Sequence, residues 1–181
     1  IKERPTAEEL LLVRKWIEGG APAFPATKVR EFVTTEMVLT AIRDDLRAAD
    51  KNTRPYLRYF TLVALHNQAS VEDEELRTER AALSLALNSL TWKPRVLPRA
   101  IDKAQTIFAV NLKDLDWDKN DIWLKILQEY PYGLNYADAK DSKIKKLGED
   151  INEYNPDLVI VRSDWFVANA MRPPLYYDLL N

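Results

Sequence analysis

The chain has 181 residues, enough for one domain with a sizeable core, and its 26 Lys and Arg against 28 Asp and Glu leave a net charge of −2. With no basic block to neutralise phosphates, nucleic acid is excluded as a partner. Zero cysteines exclude disulfides, thiolate metal sites and haem attached through Cys-x-x-Cys-His, while one histidine and four glycines leave neither a His-based metal site nor a Gly-rich phosphate loop.

The first element is a helix. Thr6 with Glu9 three residues on forms a capping box, and Leu10, Val13, Trp16 and Ile17 recur at helical spacing. Gly19-Gly20 ends it, because glycine accepts the left-handed conformation beyond a helix. Ala21–Pro25 then reads as a stiff linker. The chain opens on Ile1 rather than Met, as expected of a processed form or an excised fragment. A short helix followed by a Pro-rich exit reads as the last element of another domain.

A second helix is predicted from Thr35 to Ala48, with Val38, Leu39, Ile42 and Leu46 on one face. After a turn at Asp50–Thr53, Thr53 is expected to cap a third helix that carries Pro55 in its first turn and Tyr56, Tyr59, Phe60, Val63 and Ala64 as apolar neighbours. Ser70 is expected to cap a fourth, running through Leu76, Leu83 and Leu87 to Leu90, with Glu72–Glu75 at the positive end of its dipole. Thr106–Leu112 is rich in strand formers and pairs with Arg95–Ile101 through Asp102-Lys103-Ala104. Asp118 is expected to cap a helix over 120–129, which Pro131 stops. Ser142–Tyr154 reads as a charged, exposed helix, and Asn155-Pro156-Asp157 as a turn. Leu158–Val161 is a buried strand or a helix start. The tail from Arg172-Pro173-Pro174 begins extended. The longest apolar runs, Leu10–Val13 and Leu158–Val161, are far too short to span a membrane. The fold class is therefore mainly α (α+β): a helical domain with a small β-hairpin or sheet element, preceded by a separate short helix.

Several patterns carry chemistry. Asp114, Asp116, Asp118 and Asp121 alternate as calcium ligands do, but Lys119 and Lys125 stand where that loop pattern needs glycine and a closing acid. Leu115 and Trp117 point inward in this reading, and capping explains Asp118 and Asp121. His66 reads as a satisfied structural histidine. No serine sits in a nucleophile motif, and no particular carboxylate pair stands out among the acidic residues. The aromatics are the suggestive group. Tyr130, Tyr132, Tyr136, Tyr176 and Tyr177 lie near prolines or in loops, where exposed rings stack on sugars or anchor a protein. Trp16, Trp92, Trp123 and Trp165 are expected in the core. Arg162, Asp164 and Arg172 flank Trp165, and the plain alternative is a buried Arg–Asp pair tying the tail down. The ligand-binding candidates are Tyr130, Tyr132, Arg162, Asp164, Trp165, Arg172 and Tyr176.

Residues 6–24, with Trp16-Ile17 and Gly19-Gly20-Ala21-Pro22, resemble the C-terminal helix and exit of planctomycete-type cytochrome c domains. Arg58–Leu62, Ser89–Trp92, Ala100–Asp102, Tyr130–Gly133, Asp164–Phe166 and Arg172–Tyr176 are similar to motifs that follow such domains in large exported bacterial proteins. The resemblance implies a division into 1–25, the remnant helix and linker of a cytochrome-c-like domain, and 26–181, a mainly helical accessory domain. It implies a periplasmic or cell-envelope location, with haem c only in the parent and none in this chain. The expected function is a non-catalytic structural or binding module whose partners are neighbouring domains of the parent, or a protein or glycan. Alternatives are a role in electron transfer, by shaping the docking face of the parent's haem domain, and a part in a carbohydrate-active hydrolase.

Overall fold

The computed structural model describes residues 5–21, 30–157 and 159–180. It is a mainly helical α+β fold around a small mixed sheet. Four strands, β1 (Leu57–Thr61), β2 (Arg99–Ala100), β3 (Ile107–Asn111) and β4 (Ile160–Arg162), lie in the order β2-β3-β1-β4. β1 runs antiparallel to β3 and parallel to β4, and β2–β3 is the expected hairpin.

The sheet separates two cores. On one face Phe60, Phe108, Val110 and Val161 meet side chains from α4 (Asp73–Ser89), α6 (Ile122–Glu129), α8 (Ser163–Asn169) and α9 (Leu175–Leu180). On the other, Leu57, Tyr59, Ile107 and Ala109 meet α2 (Thr35–Ala48) and α7 (Ser142–Tyr154). α2 buries the four residues expected of it, because its apolar stripe keeps the helical period. Short helices α3 (Val63–His66) and α5 (Leu112–Leu115) follow β1 and β3 directly.

The expected third helix is not formed. After a 3₁₀ turn at Arg54–Tyr56 the chain becomes β1, which is buried along its whole length. A strand covered on both faces shows no polar alternation, so its apolar run reads equally well as a helix. α4 begins two residues later than expected: Glu72 rather than Ser70 is its N-cap, with the Glu72 amide donating to the Glu75 carboxylate at 2.9 Å. α6 also starts late, at Ile122, because Asn120 and Asp121 take left-handed backbone (φ 56° and 55°) and Asp118 does not cap it. α7 is amphipathic rather than exposed, burying Leu147, Gly148 and Ile151. Leu158 lies outside the described residues, and Ile160–Arg162 resolves the last apolar run as a strand. The tail is helical from Leu175, after a cis bond between Pro173 and Pro174.

Of the tryptophans expected inside, Trp123 is buried and Trp165 packs at the core margin, whereas Trp92 is 87% exposed. Trp117 is buried as expected, and its indole N–H donates to the Leu90 carbonyl at 3.1 Å. α1 (Ala7–Glu18) has the anticipated capping box, with Glu9 N donating to Thr6 Oγ1 (3.2 Å) and Thr6 N to Glu9 Oε2 (2.7 Å). It buries none of its residues, Trp16 included: Leu10, Leu11, Leu12, Val13 and Ile17 are 53–67% exposed. Beyond Ala21, the expected linker lies outside the described residues.

Candidate functional site

β4 is one of the two outer strands of the sheet, and an outer strand carries backbone groups with no ladder partner. The segment that leaves α6 wraps this edge. Tyr130 packs into the first core and Tyr136 against the second, so residues 130–136 pass from one face of the sheet to the other. The Tyr130 hydroxyl accepts from the Arg162 backbone N–H at 3.0 Å. That bond occupies an edge amide, while burial raises the phenol's pKa.

Around this hydroxyl the aromatic side chains converge. The Tyr130 ring stands edge-on to Trp165 (4.9 Å between centroids) and to Tyr132 (5.7 Å). The Arg162 guanidinium lies 4.7 Å from the Tyr132 centroid, a cation–π contact. It is held there by a two-pronged bond to Asp164, with Nε to Oδ1 at 3.1 Å and Nη2 to Oδ2 at 2.5 Å. The carboxylate bonds raise the Arg162 pKa. Tyr132 remains 50% exposed, a ring fixed from behind and open in front.

Next to this platform is a cleft of about 330 Å³, lined among others by Leu134, Asn135, Tyr136, Asn152, Asp157 and Ile160. Asp157 accepts from Arg58 Nη2 at 2.8 Å, so its charge is already matched. Ile160 and Arg162 are two apart on β4 and therefore share a face of the sheet. In the register with β1 they sit opposite Tyr59 and Thr61. Cleft and platform are consecutive places along one strand.

Five of the seven sequence-derived candidates, Tyr130, Tyr132, Arg162, Asp164 and Trp165, are thus brought together. Arg172 and Tyr176 are not. They meet each other at the start of α9, where Tyr176 N donates to the Arg172 carbonyl at 2.9 Å, and the Tyr176 ring packs on Tyr177. The Arg–Asp pair is local to the start of α8 and does not tie the tail down.

Residues that pattern reading missed complete the surroundings. Glu79 of α4 lies close to Asp164: burial first, and then the Asp164 charge, raise its carboxyl pKa, and Glu79 Oε2 is buried with no hydrogen-bond partner among the described residues. Only the packing of α4 on α8 brings the two carboxyls near each other, which no local spacing announces. Arg58 is 3% exposed, donates from Nη1 to the Pro55 and Leu57 carbonyls (2.7 and 2.9 Å), and lies over Trp123. Its burial lowers the guanidinium pKa to about 10.

The aspartate run is dispersed. Asp116 pairs with Lys119 (2.9 Å) and Lys93 (3.8 Å), which hold its carboxyl below the usual range. Asp118 and Asp121 line a separate cleft of about 260 Å³ beside Arg58, and Asp114 lies in the first turn of α5. Among the described residues no cluster of three or more His, Asp or Glu side chains is arranged to hold a metal ion. None of their helices is long and apolar enough to cross a membrane. His66 is buried, and its Nε2 lies 2.9 Å from the Glu31 carbonyl, so that nitrogen carries the proton in this contact. Its Nδ1 has no hydrogen-bond partner among the described residues.

No family model, no curated protein and no solved structure gives a significant match to the chain.

Proposed function

We propose that the chain is a non-catalytic structural and binding module of a larger exported protein that carries a c-type cytochrome domain, with the haem outside this chain. The observation behind this reading is α1. Five large apolar side chains on a well-capped helix are more than half exposed. Burying such a side chain fully is worth roughly 1.5–3 kcal/mol, and a 12-residue helix is marginal by itself. A helix so built is stabilised by packing on another body. The resemblance of residues 6–24 makes that body the haem-bearing part of the same polypeptide, and the fold beyond Arg30 the accessory module attached to it.

The experiment compares amide hydrogen exchange over Leu10–Ile17 in this chain and in the longer gene product. The expected result is fast exchange in the chain alone and strong protection in a longer product that shows a haem absorbance band. Equal exchange in both, or a longer product without a Cys-x-x-Cys-His segment, overturns the reading.

A further inference from the structure

We infer that the β4 edge is a binding site for a neutral saccharide, with Tyr132 as the stacking platform and the adjoining cleft as the hydroxyl-recognising subsite. A pyranose ring has an apolar C–H face and a rim of hydroxyls that both donate and accept. The edge offers the matching pair of surfaces. Tyr132 presents a half-exposed ring whose orientation is fixed by Arg162 at 4.7 Å and by Tyr130 edge-on at 5.7 Å. An aromatic ring fixed before binding loses little entropy when it takes a ligand.

The adjoining cleft supplies planar amide and carboxylate groups. Asn135 and Asn152 are both exposed; the Asn135 amide is fixed in place, its Oδ1 accepting from Ala137 N (3.2 Å) and Asn152 Nδ2 (3.5 Å) and its Nδ2 donating to Asp138 (2.7 Å), while Asn152 and Asp157 present an amide and a carboxylate. Leu134, Tyr136 and Ile160 give it apolar walls. Ile160, which lines the cleft, and Arg162, which backs the platform ring, are two residues apart on one face of β4, about 7 Å along the strand, so platform and cleft adjoin.

Charge selects the class of saccharide. Among the described residues, Arg162 on this edge is matched by Asp164, and Arg58 on the neighbouring β1 by Asp157. Among the described residues these pairs leave no unmatched positive charge to attract a uronic acid or a sulfated sugar, so nothing there offsets the cost of desolvating an anionic ligand. A neutral oligosaccharide does not carry that cost. This inference rests on the sheet edge alone and not on α1, so it stands or falls separately from the identity of the parent protein.

The test is calorimetric titration of the chain with cellotetraose and with mannotetraose, and with tetragalacturonate as the charged counterpart. At least one neutral tetrasaccharide is expected to bind, and tetragalacturonate more weakly or not at all. Tyr132→Ala should weaken binding about tenfold, the loss of one aromatic stacking contact, and Asn152→Ala several-fold. Both side chains are exposed, so both variants should keep the wild-type circular dichroism. Tyr177→Ala, an exposed ring on α9, should bind like wild type. The inference fails if neither neutral sugar binds at millimolar concentration, if Tyr132→Ala and Asn152→Ala both bind as wild type does, or if tetragalacturonate binds more tightly than both neutral sugars.

Discussion

Replacing Gly148 with alanine sets two effects of opposite sign against each other. Gly148 lies in the middle of α7. On helix propensity alone, Gly→Ala there should stabilise by about 0.8–1 kcal/mol. The surroundings reverse this. A Cβ at position 148 would stand 2.4 Å from Ala137 N, 2.4 Å from Tyr136 C and 2.9 Å from Tyr136 Cβ. The first two are backbone atoms of the 3₁₀ turn Tyr136–Asp138, so no side-chain rotation relieves the overlap. Ordinary contact begins near 3.4 Å, so helix and turn must separate by about an ångström. Overpacking of this kind costs typically 1–3 kcal/mol, and more where backbone must move. Less the propensity gain, the upper part of that cost leaves a net loss of about 1–2 kcal/mol for Gly148→Ala, seen as a lower urea midpoint and a fall in Tm of roughly 2–4 °C per kcal/mol for a chain this long. Tyr136 also lines the cleft, so saccharide affinity should fall in the same variant. Lys145→Ala, on the exposed side of α7, is the control and should be near neutral. If Gly148→Ala is more stable than wild type, the close approach of α7 to this turn is wrong, and with it the shape of the cleft.

Three further outcomes are expected. Arg58→Met removes one of two donors to the Pro55 and Leu57 carbonyls, which Asn155 Nδ2 also reaches at 3.2 and 3.5 Å, while letting Asp157, already half exposed, take up water; it should cost about 1–2 kcal/mol in urea unfolding, and no measurable loss would show that Asn155 alone satisfies those carbonyls. Burial and the nearby Asp164 raise the Glu79 pKa above its unfolded value, so Glu79 opposes folding once ionised, and stability falls as pH rises from the ordinary value of 4.5 through the folded one. Glu79→Gln should therefore raise Tm at neutral pH, with the gain shrinking towards acid pH in a scanning series; a gain that does not change with pH would mean that charge is not its origin. Added calcium should leave Tm unchanged, because Asp116 is committed to lysines and the run is dispersed; a rise of several degrees would reveal a native-state site.

What the sequence could disclose depended on whether a residue's role was local. α2 was legible to its ends, because Val38, Leu39, Ile42 and Leu46 face one core and leave polar residues on the other side. β3 and its hairpin were legible from strand formers beside a turn. β1 was not, since Tyr59 and Phe60 enter opposite cores and nothing polar marks the alternation. The exposed reading of α7 failed for a related reason. Its lysines and glutamates dominate the composition, while three residues, one of them a glycine, make its buried contact.

The candidate site divides along the same line. Tyr130, Tyr132, Arg162, Asp164 and Trp165 lie in two short aromatic segments, and composition alone made them conspicuous. Their convergence follows from a fact that no spacing encodes: β4 ends the sheet, and the chain from α6 must pass around it. That passage places Tyr130 where its hydroxyl meets the Arg162 amide, leaves Tyr132 outside with Arg162 behind it, and carries Leu134–Tyr136 on to wall the cleft. Asn152 and Asp157 join because α7 and the turn after it run beside β4, and neither residue has a neighbour in sequence that hints at a site. Arg172 and Tyr176 have the same composition signal but pack at the start of α9 instead, a location decided by α9 packing on α6. An aromatic-rich motif therefore shows that large rings must be placed somewhere, and the strand order of the sheet decides which of them stay open to a ligand.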